Sequence, residues 1–280
     1  MGSRSLRTRV AGHAAMQLVV QAQSVAPPRA AWQRVFGLAP LSPEASRWFD
    51  VALGDAVVGD QLQQLGPRWD VLHDVPGAGG RTIDHVVIGP GGAFVLRAVH
   101  CGGGEVLIDG DDLSVAGSPR VDLAEVTAAA STADAALETT VRALLVLVAS
   151  GRITERAVPS RARVIPTEQL RQILVRGRPR LSGLEVAALS DRADQTERWP
   201  TRADHADHRP DQSDECGAQS STALHTPEHD ADLRREFDGI RATVTSALRR
   251  RTAWAIAIFA TGAGMMLASI AAFTTFVLLN

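Results

Sequence analysis

The stretch that decides the fold is residues 69–108, WDVLHDVPGAGGRTIDHVVIGPGGAFVLRAVHCGGGEVLI, in which apolar runs alternate with glycine-rich turns. Runs rich in Val and Ile that are bounded by glycine and proline are typical of β-strands. The sequence Gly-Pro-Gly-Gly at 89–92 predicts the turn of a hairpin. We therefore expect strands at 69–75, 82–88, 93–99 and 105–108, and a fifth at 113–116 that forms a smaller hairpin with the fourth.

Helices are predicted on both sides of these strands. Ser42, Pro43 and Glu44 form a helix start, since Pro is favoured at the first helical position and an acidic residue in the first turn. Apolar residues at helical spacing carry this helix to about residue 65. Further along, the pattern predicts a helix at 122–138, strands at 142–148 and 161–165, and helices at 167–174 and 183–199. Strands bracketed by helices predict an α/β domain over residues 41–199.

Two segments lack such patterns. Residues 1–40 contain Pro27, Pro28 and Pro40 and show little periodicity, which predicts a flexible leader. Residues 200–230 are polar and almost free of large apolar side chains. Such a composition cannot bury enough apolar surface to fold, so we expect a disordered linker there.

The C-terminal part of the chain resumes a helical pattern. Residues 231–252 predict a juxtamembrane helix whose apolar side chains recur at coiled-coil-like spacing, namely Leu233, Phe237, Ile240 and Val244. Gly264, Ala268 and Ala272 then repeat a small residue every four positions, which favours close approach of two helices within a membrane. Together these features predict a parallel homodimer through residues 231–272.

Residues 253–279 carry no charged side chain and predict a transmembrane helix. A helix of this length spans ~40 Å, against a hydrocarbon core of ~30 Å. Arg249, Arg250 and Arg251 precede the apolar run directly, and flanking positive charge stays on the cytoplasmic side. We therefore expect a single-pass anchor in the cell membrane, with the lipid bilayer as a partner and the soluble domain in the cytoplasm.

The charge and cysteine content of the sequence argue against some classes of protein. The formal net charge is −2, so no global basic field supports nucleic-acid binding. The 29 basic residues are all arginines, because the sequence contains no lysine. The two cysteines, Cys101 and Cys216, are too few for a disulfide scaffold. Composition alone identifies neither a ligand nor a protein partner.

The run from Trp69 to Pro76 and the following IDHVVIGPGGAFV at 83–95 resemble the NERD family of nuclease-related domains. This resemblance is expected to cover residues 44–190 and implies a restriction-endonuclease-like fold. It also implies a phosphodiesterase site in which carboxylates hold Mg²⁺, which activates a water, and a lysine stabilises the developing charge.

Residue by residue, the resemblance matches a Gly-Glu pair of the family's first helix to Gly54-Asp55, and an aspartate of its first hairpin to Asp84. The next strand of the family presents an acidic or amide residue and then a lysine two positions on. Here these positions hold Arg97 and Val99. Asp55 and Asp84 remain as candidate metal ligands, although Asp84 is equally well explained as a buried residue capping its turn.

The departure from the family pattern separates two functional hypotheses. Val99 cannot orient a water, and Arg97 places a permanent positive charge where the family has a ligand. The leading hypothesis is a membrane-anchored, catalytically decayed domain that acts as a binding or scaffold module and needs no cofactor. The alternative is a divergent Mg²⁺-dependent nuclease that acts on DNA at the cytoplasmic membrane face.

Overall fold

A computed structural model of the chain describes residues 5–200 and 227–279. Within these ranges the protein has a mixed α/β fold with seven α-helices and two mixed β-sheets. The predicted hairpins and the helices around them are confirmed, with bounds that differ from the prediction by only a few residues.

Helix α3 (Pro43–Gln63) begins where the sequence predicts. The hydroxyl of Ser42 accepts a hydrogen bond from the backbone N–H of Ala45 at 3.1 Å, and Pro43 occupies the first turn. This side-chain cap satisfies one of the N–H groups that a helix start leaves without a partner. The helix then packs one face against the sheet that follows it in sequence.

The central sheet has five strands in the order β1-β2-β3-β7-β9. Strands β1 (Asp70–Pro76), β2 (Thr82–Gly89) and β3 (Gly92–His100) are antiparallel neighbours. Strand β7 (Val141–Val148) pairs in parallel with β3, and β9 (Ala162–Pro166) pairs in parallel with β7. The run VRALLVLV of β7 is almost continuously buried, as expected for a strand that is covered on both faces.

Helices cover both faces of this sheet. Side chains of α4 (Asp122–Leu137) and α6 (Gly183–Ala193) share one core with the side chains of β3 that include Val95 and Val99. Side chains of α3 and α5 (Thr167–Val175) share a second core with Leu96 and Ala98 on the opposite face of β3. Alternate residues of β3 therefore face different helices.

A smaller sheet has the order β6-β5-β4-β8. Strands β4 (Val106–Asp109) and β5 (Asp112–Val115) form the predicted hairpin, whereas β6 (Ser118–Arg120) and β8 (Ile153–Ala157) were not predicted. Both are short and mostly exposed, and Pro119 lies within β6. They therefore show neither the apolar alternation nor the composition by which strands are recognised in a sequence.

The prediction of a flexible leader over residues 1–40 is wrong for residues 5–40. This region contains α1 (His13–Ser24) and α2 (Ala31–Phe36), and α1 packs against α3. Met16 and Val19, one helical turn apart, are buried in a third core that includes Phe49 of α3. Of the glutamines that interrupt the apolar run, Gln21 is exposed, whereas Gln17 and Gln23 are partly buried.

Helix α7 (Pro227–Leu279) begins four residues before the predicted juxtamembrane helix and continues through the predicted membrane segment. Most of the predicted linker, residues 201–226, lies outside the described residues. Leu233 and Phe237 are buried against α1 and α3, and the ring centroids of Phe237 and Phe49 lie 5.6 Å apart. Because the chain itself covers this seam, Leu233 and Phe237 are not free to form the predicted dimer contact.

The apolar end of α7 is described only in part. Among the residues whose side chains the structure describes, no helix offers an apolar run long enough to cross a membrane, and along α7 that description ends at Met266. The small residues Ala268 and Ala272, on which the dimer prediction also rests, have side chains beyond this point.

Candidate functional site

The four residues of the family pattern lie on three elements. Asp84 is on β2, Arg97 and Val99 are on β3, and Asp55 is on α3. In the antiparallel pairing His85 lies opposite Leu96, and continuing this register places Asp84 opposite Arg97. Val99 is buried in the core beneath α4 and contributes no polar group.

Arg97 lies at the centre of three carboxylates. Its Nε donates to Oδ1 of Asp122 at 2.9 Å, Nη2 lies 2.7 Å from Oε2 of Glu125, and Nη1 donates to Oδ2 of Asp84 at 3.4 Å. The arginine side chain is 28% exposed. All three donor groups of one guanidinium are therefore used within a single partly buried cluster.

Two of these carboxylates come from the first turn of α4, where sequence reasoning assigned no function. Asp122 and Glu125 are three residues apart, so both side chains project from the same side of the helix. Arg120 and Arg81 bind the outer oxygens of this pair, with N–O distances of 2.8 Å to Asp122 and 3.5 Å to Glu125. This spacing at a helix start predicts an acidic pair on one side of α4, but only the packing of α4 on β3 brings the pair to Arg97.

The electrostatics of the cluster favour the charged forms of Arg97 and Asp122. Burial lowers the pKa of Arg97, but Asp84, Glu125 and Asp122 raise it by more, so the guanidinium stays charged. Burial raises the pKa of Asp122, but the hydrogen bonds and charges of Arg120 and Arg97 bring it below its usual value. Burial also raises the pKa of Asp84, and Arg97 offsets only part of this effect.

Asp55 belongs to a different environment, on the side of the sheet that α3 covers. It is 4% exposed, and its Oδ1 lies 3.8 Å from Nε2 of His85. His85 Nδ1 in turn hydrogen bonds to Nδ1 of His73 at 2.9 Å, and the two residues lie directly opposite each other on β1 and β2. The structure therefore pairs Asp55 with two histidines and Asp84 with an arginine.

Burial shifts the pKa of every member of this second group towards its uncharged form. Burial, and then the charge of Asp84, raise the pKa of Asp55 well above its usual value. Burial lowers the pKa of His85 well below its usual value and that of His73 to about 4. At neutral pH the imidazole of His85 is therefore uncharged, so its contact with Asp55 is not a salt bridge between two charged groups.

The N-terminal segment closes this side of the site. Asp74, which adopts a left-handed backbone conformation with φ of 50°, accepts hydrogen bonds from the backbone N–H groups of His13 and Ala14 at the start of α1. Arg9 donates to the backbone oxygen of Asp74. Gly12 lies so close to Asp55 that a Cβ at position 12 would stand 2.9 Å from the Cβ of Asp55. Asp55 therefore does not line an open cleft.

The residues do not fit a Mg²⁺ site. In the described part of the chain, no group of three or more His, Cys, Asp or Glu side chains is arranged to hold a metal ion. A hard divalent cation needs several oxygen ligands converging on one point. Here the point on which the oxygens of Asp84, Asp122 and Glu125 converge is taken by the guanidinium of Arg97.

A groove of about 590 Å³ lies elsewhere, between α3 and α7. Its polar side includes Asp50, His100 and Arg241, and His100 Nδ1 lies 3.2 Å from Oδ1 of Asp50. Asp55, Asp84 and Arg97 do not line this groove. The positions of the family pattern and the groove are therefore separate features of the molecule.

Residues 51–122 match the model of the NERD family, described as a nuclease-related domain. The match is shorter than the predicted 44–190, but it contains Asp55, Asp84, Arg97 and Val99 and ends at Asp122. No curated protein and no solved structure matches the chain. The matched segment therefore contains Asp84, Arg97 and Asp122 of the arginine cluster, whereas Glu125 lies beyond its end.

Proposed function

We propose that the protein is a membrane-anchored binding or scaffold module built on a nuclease-related domain that no longer catalyses phosphodiester cleavage. The observation that carries this proposal is the position of Arg97 among Asp84, Asp122 and Glu125. A permanently charged guanidinium supplies the positive charge that these carboxylates require. The cluster thereby becomes a structural ion-pair network that joins β2, β3 and α4.

Electrostatics oppose a second cation in this cluster. The pKa of an arginine is too high for the side chain to give up its charge, so a metal would have to displace the guanidinium bodily. Such a displacement would leave an unpaired charge in a partly buried position, which is strongly unfavourable. The absence of lysine from the sequence removes the residue with which the family stabilises the transition state.

The cover over Asp55 supports the same proposal. A phosphodiesterase must admit a nucleic-acid backbone to its carboxylates. Gly12 packs on Asp55, and Arg9 and the start of α1 are tied to Asp74. Any substrate that reached Asp55 would have to displace this segment first.

The membrane anchor rests on the uncharged end of α7. Residues 253–279 carry no charged side chain, and Ile256, Ile258 and Phe259 are exposed to the surroundings of the helix. With Arg249–Arg251 on the cytoplasmic side, this end spans the cell membrane once and keeps the nuclease-related domain in the cytoplasm.

Deleting residues 253–280 should release the protein from membranes, and a reporter fused after Asn280 should lie outside the cytoplasm. A truncated chain that still sediments with membranes would exclude this helix as the sole anchor.

The alternative, a divergent Mg²⁺-dependent nuclease, is favoured by the family match over residues 51–122. The purified full chain, incubated with DNA or RNA and either Mg²⁺ or Mn²⁺, distinguishes the two proposals. We expect no metal-dependent cleavage, since removing even one preorganised donor from an active site costs roughly 10²–10³ in rate. Cleavage that Asp84→Ala abolishes would establish the nuclease instead.

A further inference from the structure

Helix α2 presents large apolar side chains to solvent. Trp32 is 57% exposed and Val35 is 52% exposed, and Phe36 lies beside them. A six-residue helix with three exposed large apolar side chains is unusual, because clustered exposed apolar residues commonly mark an interaction site. The question is which surface covers this face, termed here the α2 face and defined by Trp32, Val35 and Phe36.

The position of α2 along α7 indicates the answer. A Cβ on Gly37 would meet the backbone of Ala247 and Arg251, so the end of α2 lies tightly against this part of α7. One step back along the chain, the rings of Phe36 and Trp254 lie 5.0 Å apart, and Trp254 Nε1 donates to the backbone oxygen of Val35 at 3.2 Å. Gly37 therefore lies beside the arginines of α7, whereas Phe36 and Val35 lie beside Trp254, where the uncharged part of α7 begins.

The two segments that meet at this face carry charge of one sign. Residues 1–43 contain no aspartate or glutamate, and none occurs after Asp238. Exposed arginines accompany the α2 face, with Arg34 on α2 itself and Arg249–Arg251 on the adjoining part of α7. The whole chain is nevertheless slightly acidic, with a formal net charge of −2. The positive charge is thus concentrated where α2 meets α7.

We propose that the α2 face docks onto the cytoplasmic surface of a bilayer that contains anionic phospholipids. Tryptophan and phenylalanine partition to the boundary between headgroups and acyl chains, and arginines bind anionic headgroups. The contact of Trp254 with α2 places the α2 face at the depth at which α7 passes from its arginines to its uncharged residues. This inference rests on the membrane anchoring proposed for α7, and it adds a second contact that fixes the orientation of the domain on the membrane.

Docking has a consequence for the fold. α2 packs on α7, and α1 packs on both α3 and α7. A bilayer contact at the α2 face therefore holds the N-terminal region, which covers Asp55, between the domain and the membrane surface. The N-terminal region, which the sequence pattern predicted to be a leader, would therefore orient the domain on the membrane.

Tryptophan quenching by lipids tests the proposal with the full chain. The protein is reconstituted into phosphatidylcholine bilayers with or without phosphatidylglycerol, both carrying bromine near the headgroup end of the acyl chains. The fluorescence quenching of the unmodified chain is compared with that of the Trp32→Phe and Trp254→Phe variants. The difference in each comparison is the quenching of the tryptophan that was replaced. Trp254 reports on the anchor, and Trp32 reports on the α2 face.

We expect both tryptophans to be quenched, and Trp32 more strongly when phosphatidylglycerol is present. The variant Arg34→Glu should reduce the docked fraction by roughly tenfold, because each arginine near an anionic surface makes a sizeable contribution to binding. Arg171→Glu makes the same charge change on exposed α5 and should leave the quenching of Trp32 unchanged.

The outcomes separate this inference from the proposed anchoring. Quenching of Trp254 without quenching of Trp32 would support the anchor and overturn the docking of the α2 face on lipid. The same result is expected if a second copy of the chain covers the α2 face. Quenching of neither tryptophan overturns both. Quenching of Trp32 that is equal in the two lipid mixtures contradicts the role assigned to anionic headgroups.

Discussion

At the scale of single residues, the protein is defined by what surrounds Arg97. Three carboxylates from β2 and α4 contact one guanidinium, and Arg120 and Arg81 satisfy the outer oxygens. An arginine suits this role better than a lysine, because its planar group offers several donors in fixed directions. The same guanidinium occupies the point at which a divalent cation would contact the three carboxylates.

Removing the guanidinium should destabilise the fold. Arg97→Gln leaves Asp84, Asp122 and Glu125 close together without their shared cation. Removing one partner of a buried ion pair lowers the free energy of unfolding by about 3 kcal/mol or more. Thermal unfolding of the detergent-solubilised chain measures the loss. Arg81→Gln is the matched control, because the Arg81 side chain is largely exposed and, among the described residues, its ion pair is with Glu125 alone. Equal effects of the two substitutions would contradict the central role of Arg97.

Asp74 gives a prediction about pH. Burial, and then the charge of Asp84, raise the pKa of this carboxyl to about 7 in the folded protein, against an ordinary value of 3.8. The folded state therefore binds more protons than the unfolded state between these values, and stability falls as the pH rises through that range. Asp74→Asn cannot ionise and keeps an oxygen that accepts the N–H groups of α1.

We expect Asp74→Asn to be more stable than the unmodified protein at pH 8, by on the order of 2–4 kcal/mol, and equally stable near pH 4. Melting temperatures measured across this range provide the comparison. Asp111 is a control of opposite sign, since hydrogen bonds from Ser160 lower its pKa and its charged form is the stabilised one. If the stability of Asp74→Asn follows that of the unmodified chain at every pH, Asp74 does not carry the proton assigned to it.

At the scale of elements, the contact between the start of α1 and α3 closes the site. Gly12 adopts a φ of +68° and lies against Asp55, while a Cβ on Gly59 would approach the Cβ of Ala11 to 2.4 Å. Glycine is needed at both positions so that the two segments can approach closely. The N-terminal region is thus fitted to the surface of α3.

Substitution of Gly12 should open this contact. Gly12→Ala adds left-handed backbone strain of about 1–2 kcal/mol together with a collision at Asp55. Gly79→Ala adds nearly the same strain at φ +69°, where nothing lies within 4 Å of the new Cβ. We expect faster tryptic cleavage after Arg9 in Gly12→Ala than in Gly79→Ala. Equal rates would mean that packing on Asp55 does not hold the segment.

The elements also show how far sequence reasoning reaches. The start of α3 and the hairpin of β2 and β3 were predictable, because a helix cap and glycine-rich turns are local signals. Strand β8 was not predictable, since it pairs with a strand distant in sequence, as in Val106 with Ile153, and its side chains are mostly exposed. The cluster around Arg97 needed the position of α4, which no local pattern specifies. Asp55 and Asp84 were predicted to share one site, but they have different partners on the two sides of the sheet.

At the scale of the whole molecule, α7 joins the N-terminal region to the rest of the chain. Phe237 and Leu233 are buried against α1 and α3, and His13 Nδ1 lies 3.0 Å from Oδ1 of Asp230. The first turns of α7, which carry part of the predicted dimer seam, pack on their own domain. The nuclease-related domain is consequently held at a fixed orientation to the uncharged end of α7.

Loss of the Phe237 side chain should detach α7 from the domain. Replacing a buried phenylalanine with alanine costs roughly 3–5 kcal/mol. We expect Phe237→Ala to speed amide hydrogen exchange in α1 and in the first turns of α7, with little change in β3 and β7. Leu248→Ala, at an exposed position of the same helix, should leave exchange unaltered. Unchanged exchange in Phe237→Ala would show that other contacts suffice.

The central claim is that Arg97 takes the place that a divalent cation would need. The most direct test is a titration of the full chain with Mn²⁺, in which binding is measured as the loss of the electron paramagnetic resonance signal of the free ion. The unmodified protein is compared with Asp84→Asn. The account predicts that the two proteins show the same weak background uptake, because Asp84 is bound to Arg97 and not available to a metal. Stoichiometric uptake of Mn²⁺ by the unmodified protein that Asp84→Asn abolishes would contradict it.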